Sequence, residues 1–174
     1  YSKNEAWMIV CMASGNGSNF EAIVNSGIKV DLVITNNPNA RVIDRAKKFN
    51  IPCIVSKTEY EQSVPEHATL VILAGFMKIL SKEFVEKYPT VNIHPSLLPS
   101  FRGKDAVIQA LNAGVKIAGC TIHWVDEGMD TGKIIEQTCC PVWEDDNEHT
   151  LHARIHELEH RTYAETIKEI IRTL

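Results

Sequence analysis

Two short patterns in the sequence have residue types and spacings that could carry chemistry, and the first is the run HELEH. His156 and His160 are four residues apart, with Glu157 between them. On a helix, this spacing places two zinc-ligating imidazoles and a catalytic base on one face. A zinc protease also needs a third protein ligand and an open position for water. No histidine follows His160 and the upstream histidines offer no evident chelating geometry, so we expect no metal here.

The second pattern is VNIHPSLLPSFRG, which contains Asn92 and His94. In a strand, residues two apart point to the same face, and open α/β sheets bind ligands at the carboxyl ends of their strands. Pro95 and Pro99 stiffen the loop that follows. An amide donor beside an imidazole suits acyl transfer, because the amide stabilises a developing oxyanion while the imidazole moves a proton. The alternative is a strand-end histidine that bonds only to the backbone.

An acidic, glycine-containing loop, DEGMDTG, supplies a possible partner for this pair. Asp130 stands just before the turn at Thr131 and Gly132. A carboxylate brought to His94 would orient the imidazole ring and stabilise its charged form. The alternative is a turn residue whose side chain bonds its own backbone.

The turn SGNGSN lies between a predicted strand and a predicted helix, where backbone N–H groups and the helix dipole favour an anion. Gly15 and Gly17 match the dinucleotide fingerprint, but Phe20 occupies its third glycine position. The end of the next strand also lacks the expected ribose-binding carboxylate. Ser18 and Asn19 add side-chain donors, which suits one phosphate monoester. The alternative is a tight turn with an N-cap serine and no ligand.

Strand-like and helix-like segments must position these residues. The segments that read as strands are WMIVCM, KVDLVIT, IPCIV, TLVILAGF and TVNIH, followed by VKIAGCTIHWV and KIIEQTCCPVW. Their alternation with amphipathic segments predicts an α/β fold with a Rossmann-like, doubly wound, mostly parallel sheet. The last two strands predict an antiparallel C-terminal pair. The tail from about residue 146 predicts a long C-terminal helix.

Composition narrows the class of protein. The 174 residues fit one domain, and a net charge of −4 from 18 basic and 22 acidic residues argues against a nucleic-acid partner. A small phosphorylated substrate remains compatible, because backbone N–H groups can hold one phosphate. The five cysteines form no C-x-x-C pair and predict reduced thiols in a cytoplasmic protein. No apolar run has the length of a membrane helix.

Five segments in order, SGNGSN, LAGFMKIL, NIHPSLLPSFRG, TIHWVDEGMDTG and RIHELEH, resemble the phosphoribosylglycinamide formyltransferase family of folate-dependent enzymes. The resemblance spans nearly the whole chain. It implies transfer of the formyl group of 10-formyltetrahydrofolate to the amine of glycinamide ribonucleotide in purine biosynthesis. It also implies a single domain, 1–174, with a nucleotide-phosphate half at about 7–90 and a folate and catalytic half at about 91–174.

The resemblance implies a role for each candidate residue. Asn92 and His94 would stabilise the tetrahedral oxyanion, and Asp130 would keep His94 protonated and relay the amine proton. The glycinamide ribonucleotide would contact Gly17, Ser18, Asn19, His156 and Glu159, with Glu159 on the ribose and His156 on the phosphate side. The folate would contact Lys57, Met77, Lys78, Ile79, Leu80, Asn92, Asp126, Glu127, Gly128, Met129 and Asp130.

The resemblance further implies small-molecule substrates, no metal, no nucleic acid, no membrane, and a monomer or homodimer. Other members of the same superfamily remain alternatives: a formyltetrahydrofolate hydrolase, a methionyl-tRNA formyltransferase or an amino-sugar formyltransferase. A methionyl-tRNA formyltransferase would be expected to have a longer chain with an added, basic RNA-binding domain, which 174 residues cannot contain. A non-catalytic folate- or nucleotide-binding module has no need of an oxyanion donor beside an imidazole. A metallohydrolase is the remaining alternative.

Overall fold

The computed structural model describes residues 7–173, so the predicted domain limits of 1–174 stay a prediction at both ends. The strands are β1 (Ile9–Met12), β2 (Leu32–Thr35), β3 (Cys53–Val55), β4 (Leu70–Leu73), β5 (Thr90–His94), β6 (Ile117–Trp124) and β7 (Ile134–Pro141). The helices are α1 (Ser18–Asn25), α2 (Val42–Lys48), α3 (Lys82–Lys87), α4 (Ala106–Ala113) and α5 (Glu148–Thr173).

All seven strands form one sheet in the order β3-β2-β1-β4-β5-β6-β7. Neighbouring strands from β3 to β5 are parallel, whereas β6 runs antiparallel to β5 and β7 antiparallel to β6. The fold prediction is confirmed, including the antiparallel C-terminal pair and the long last helix. The chain order reverses between β1 and β4, the switch point at which open α/β sheets bind ligands.

The continuous apolar runs of the central strands arise because both faces of the sheet are covered. In β1, Ile9 and Cys11 pack into a core cluster that also contains side chains of α1, α2, α4 and α5. Val10 and Met12 point to the other face, into a second cluster with Phe84 of α3. The sheet is therefore doubly wound, with one hydrophobic layer on each side.

Local sequence features set the start of α3 and the end of α4. The Ser81 hydroxyl accepts a hydrogen bond from the Phe84 N–H at 3.2 Å and caps α3. Gly114 ends α4 with φ 72°, a left-handed conformation that glycine adopts without steric cost. The polar stretch at residues 56–68 consists of turns and bends. Over residues 7–173, no helix combines the length and apolarity that a membrane crossing requires.

Tyr163 joins α5 to the centre of the sheet. Its side chain is fully buried, and its hydroxyl lies 2.7 Å from the Leu73 carbonyl and 3.0 Å from the Val91 carbonyl. These carbonyls belong to neighbouring strands, β4 and β5, so one hydroxyl ties the last helix to both.

We expect Tyr163→Phe to lower the free energy of unfolding by about 1–2 kcal/mol, because two buried carbonyls lose their shared donor while packing is kept. Urea denaturation followed by circular dichroism measures this loss. The matched control is Tyr60→Phe, in a half-buried side chain whose ring contacts Phe76. Equal stability of the wild type and Tyr163→Phe would show that the hydroxyl contributes nothing.

Candidate active site

The first part of the site lies where β5 extends beyond its neighbour. Asn92 is paired with Leu73, the last residue of β4, so His94 projects past the end of that strand. Val91 and Ile93 pack into the first core cluster. Because side chains alternate along a strand, Asn92 and His94 share the opposite face. Two chemically active side chains thus stand together at the carboxyl edge of the parallel sheet.

Asp130 reaches this face from the loop between β6 and β7. One carboxylate oxygen, Oδ2, lies 3.4 Å from Nδ1 of His94 and accepts a hydrogen bond from the Gly103 N–H at 2.9 Å. The other oxygen, Oδ1, lies 3.6 Å from Nε2 of His123. The contact between Asp130 and His94, which the sequence could only suggest, is present in the structure.

His123 is the residue that the sequence reasoning missed. It stands directly opposite Asn92 in the antiparallel ladder, and its Nε2 is 3.5 Å from Nδ2 of Asn92. Its Nδ1 donates to the Trp124 carbonyl at 3.0 Å. The register of β6 against β7 shifts between Ile122 and His123, and such irregularities often re-aim a side chain at an active site. A histidine inside an otherwise apolar strand was the available signal.

The ring of His94 has an acceptor close to each of its nitrogens. Nε2 is 2.8 Å from the carbonyl oxygen of Phe101, and a carbonyl only accepts, so Nε2 carries a proton. Nδ1 faces the carboxylate of Asp130, as described above. The side chain is 6% exposed, so these two acceptors, rather than water, determine its orientation.

The charge state of Asp130 follows from its surroundings. Burial alone would raise the pKa of this carboxyl group. The hydrogen bond with His123, the Gly103 N–H and the charges of His94 and His123 outweigh burial and hold the pKa below its ordinary value. Asp130 is therefore a carboxylate at neutral pH, beside two imidazoles and one amide.

The glycine turn has a backbone that requires glycine. Gly17 precedes α1 with φ 77°, and a Cβ atom there would lie 2.7 Å from Cγ2 of Val42. Gly17 is the N-cap residue, and no side chain caps the helix. The alternative of an N-cap serine is therefore wrong, because the Ser18 hydroxyl is used elsewhere. The first backbone N–H groups of α1 keep the geometry that favours an anion.

Two contacts connect the start of α1 to α5. Ser18 Oγ is 2.9 Å from Nε2 of His156, and Asn19 Nδ2 donates to Glu159 at 3.1 Å. Glu159 is 6% exposed, and burial raises the pKa of its carboxyl group to about 7, although the bond from Asn19 opposes the shift. Buried carboxyl groups with strongly raised pKa values are typical of functional sites. All five residues predicted for the nucleotide thus lie on this turn or on the α5 face against it.

The residues predicted for the folate divide into exposed and buried groups. Met77, Ile79 and Met129 are large apolar side chains with 72%, 68% and 55% exposure. The side chain of Leu80 is buried in the second core cluster, so only its backbone is available to a ligand. The other predicted contacts in these two loops are Lys78, Asp126, Glu127 and Gly128, and they are partly or largely exposed.

The loop after β4 and the loop after β6 are each fixed by a hydrogen-bonded side chain. The Met77 N–H donates to Oγ of Ser14 at 2.8 Å, which connects the loops after β1 and β4. Asp126 accepts from the Gly128 N–H at 2.9 Å and from the Thr131 hydroxyl at 2.7 Å. Lys57 is exposed and follows β3, three strand spacings, or roughly 14 Å, from β4. The segment that follows Lys57 nevertheless packs against the loop after β4, since the Tyr60 and Phe76 rings are 5.3 Å apart and Glu61 accepts from the Ser81 N–H at 2.9 Å.

The HELEH histidines serve other contacts. The ring of His156 lies between those of His152 and His160, with centroids 5.2 Å and 4.8 Å away, while its Nε2 faces Ser18. In the part of the chain that the structure describes, no three histidine, cysteine or acidic side chains are grouped as a metal site.

We expect His123→Gln to raise the pKa of Asp130, because the substitution removes the charge of the imidazole and its hydrogen bond with the carboxylate. The carboxyl ¹³C shift of Asp130, followed by NMR between pH 2 and 6, measures the change, with the exposed His67→Gln as the control. A lowered folded-state pKa stabilises the protein above about pH 3.9, and this contribution disappears as pH falls through the folded-state value. His123→Gln should therefore lose part of this contribution to the free energy of unfolding. An unchanged Asp130 titration would contradict the assigned contact.

Comparison with known proteins gives the family. The formyl transferase family model matches residues 7–167. The phosphoribosylglycinamide formyltransferase of Bacillus subtilis (strain 168) is 44% identical, with 91% of this chain and 92% of that protein covered. The trifunctional purine biosynthetic protein adenosine-3 of Drosophila melanogaster is 38% identical, and its aligned part covers 94% of this chain but only 14% of that protein.

A solved structure gives the same result at the level of the fold. The crystal structure of phosphoribosylglycinamide formyltransferase from Anaplasma phagocytophilum superposes with a TM-score of 0.89 at 40% identity, over 95% of this chain and 87% of that chain. The family model, the sequence identities and the superposition therefore agree across the residues that carry the site. The chain belongs to the formyl transferase family.

Proposed function

We propose that this chain transfers the formyl group of 10-formyltetrahydrofolate to the amine of glycinamide ribonucleotide, a step of purine biosynthesis. The observation that carries the proposal is the position of the Asp130 carboxylate between His94 and His123, beside the amide of Asn92. The names of the similar Bacillus and Anaplasma proteins support the choice of nucleotide.

The proposed reaction begins with attack of the substrate amine nitrogen on the formyl carbon, which forms a tetrahedral oxyanion. The amide N–H of Asn92 is suited to donate to that oxygen, and a preorganised donor stabilises charge that develops only in the transition state. Nε2–H of His94 is the second donor. It is now bonded to the Phe101 carbonyl, so it must transfer this bond to the oxyanion during the reaction.

The second half of the reaction is a proton transfer. The bond from the formyl carbon to N10 of the folate breaks, the attacking amine loses a proton, and N10 gains one. Asp130 is ionised at neutral pH and has an imidazole nitrogen within 3.6 Å of each oxygen, which suits a carboxylate that holds His94 in its charged form and passes the proton through water.

The substrates occupy the two ends of the site in this proposal. The phosphate of glycinamide ribonucleotide binds Gly17, Ser18 and Asn19, with His156 beside it and Glu159 on the ribose. The pterin of the folate lies against residues 77–80 and 126–130, where exposed apolar side chains meet backbone polar groups. Lys57 precedes the segment that packs against the loop after β4, which suits a contact between its exposed side chain and the folate. The proposal needs only small-molecule partners, no metal, and a cytoplasmic setting, as a monomer or homodimer.

A spectrophotometric assay tests the proposal. The chain is incubated with a 10-formyl folate analogue, with and without a chelator and with and without glycinamide ribonucleotide, and release of the deformylated folate is recorded. We expect release only when the nucleotide is present. Release without nucleotide would indicate a hydrolase instead, absence of release would favour a binding module, and release that the chelator abolishes would revive the metallohydrolase.

Asp130→Asn should lower kcat by roughly 10²- to 10⁴-fold, because the amide keeps the size of the side chain but cannot accept and pass on a proton. The dissociation constant of the folate should change little, since the loop backbone is kept. Stopped-flow kinetics and folate binding measured on the same preparation separate these effects. Asp145→Asn is the control for an exposed carboxylate outside the site. A kcat within about twofold of wild type would contradict the proton-transfer role.

A further inference from the structure

His156 lies where the N-terminus of α1 meets α5, at the place proposed for the substrate phosphate. Its Nε2 is 2.9 Å from the hydroxyl oxygen of Ser18, the first residue of α1. Gly17 caps this helix without a side chain, so the first backbone N–H groups of α1 remain suited to an anion. The titratable ring of His156 therefore contacts the Ser18 hydroxyl, which lies at the predicted phosphate site.

A second observation also indicates a ligand at this helix end. Asn19 is 9% exposed, and its Oδ1 accepts no hydrogen bond from the described residues, while its Nδ2 donates to Glu159. If the amide were turned over, Oδ1 would accept from protonated Glu159, and Nδ2 would be the atom without a protein partner. In both orientations, a buried polar atom in the first turn of α1 is left for a ligand.

The charges around His156 come from three packed helices. The titratable or charged side chains are His152, Glu157, Glu159 and His160 of α5, Glu21 of α1, and Arg45 and Lys48 of α2. Glu21 is paired with both Arg45 and Lys48. Among residues 7–173, no carboxylate forms an ion pair with His156. Among the described residues, the ring thus has two histidine neighbours and no carboxylate paired with it.

These surroundings keep the ring neutral before a ligand binds. Burial lowers the pKa of His156, and the charges of His160 and His152 lower it further. A neutral ring whose Nε2 lacks a proton accepts the hydrogen of the Ser18 hydroxyl, which then has no hydrogen for a phosphate. A protonated ring donates from Nε2 to Ser18 and leaves the Ser18 hydrogen free for a phosphate oxygen.

We propose that His156 binds the substrate phosphate as an imidazolium, so that binding of the phosphate monoester takes up one proton from solvent. The inference rests on the proposed nucleotide substrate and adds a property of its phosphate site. The proton enters on the ring, the direction of the bond between Ser18 and His156 reverses, and the dianion gains a cation and a hydroxyl donor together. Affinity for the nucleotide therefore depends on pH through this one side chain.

The first test compares the KM for glycinamide ribonucleotide between pH 6.5 and 8.5 in the wild type, His156→Gln and His149→Gln. The lower limit keeps the phosphate largely dianionic, since its second pKa is about 6. The wild-type KM should rise with pH by up to about tenfold per unit, the limit for uptake of one proton. His156→Gln should raise KM up to about tenfold at pH 6.5 and change it less than about twofold at pH 8.5, because the wild-type ring binds as an imidazolium only at the lower pH.

The His149→Gln control makes the comparison specific to His156, because both variants keep Glu159. His149 is exposed and lies two turns earlier on α5, so His149→Gln should follow the wild type at every pH. Glu159 titrates near 7 in the wild type and its ionisation affects both variants, so the difference between His156→Gln and His149→Gln isolates His156.

The second test counts protons directly and needs no assumption about catalysis. Titration calorimetry of glycinamide ribonucleotide at pH 7.5, in two buffers with different ionisation enthalpies, gives the number of protons taken up on binding. We expect uptake by the wild type that is lost in His156→Gln, and a downfield shift of the His156 ring proton in NMR spectra of the wild-type complex. If both proteins bind and formylate the nucleotide with equal pH dependence and equal uptake, the proton linkage is wrong and the transferase proposal stands. If the wild type binds no nucleotide at any pH, both proposals are overturned.

Discussion

The carboxylate of Asp130 is the charge around which the catalytic part of this chain is organised. A carboxylate with a side chain only 10% exposed is costly unless it is paired and hydrogen-bonded. Here one oxygen faces His94 and accepts the Gly103 N–H, while the other faces His123. The loop after β5 and the loop after β6 therefore share one anion, and neither can move without leaving that anion partly unpaired.

The sheet makes this arrangement possible by changing direction at β5. On one side, β5 is parallel to β4 and projects past it, which places Asn92 and His94 at the ligand-binding edge. On the other side, β6 is antiparallel, and antiparallel neighbours place side chains directly opposite each other. His123 meets Asn92 for this reason. Strand β5 thus places Asn92 and His94 at the ligand-binding edge beside its parallel neighbour, and it pairs Asn92 with His123 of its antiparallel neighbour.

Features that depend on the local periodicity of the sequence were predicted correctly. Contacts between distant segments were at most suggested, or were missed. Alternation in β5 placed Asn92 and His94 on one face, and the apolar runs predicted the parallel sheet. The contact between Asp130 and His94 depends on how an irregular loop folds back, and no period encodes that. His123 was missed because a histidine in a buried strand has the same pattern as a core residue. The alternative role of Ser18 as a helix cap is local, whereas the partner of its hydroxyl in the structure is 138 residues away.

The HELEH spacing has a physical origin in the packing of α5. His156, Glu159 and Tyr163 are spaced by three and four residues, so they lie along one stripe of the helix. His156 contacts Ser18, Glu159 contacts Asn19, and Tyr163 bonds the carbonyls of β4 and β5. A helix that docks along such a stripe places functional side chains at i, i+3, i+4 and i+7 whatever their chemistry. A zinc protease uses this periodicity to chelate a metal, and this chain uses it to bring a titratable ring and a buried carboxyl group against the start of α1.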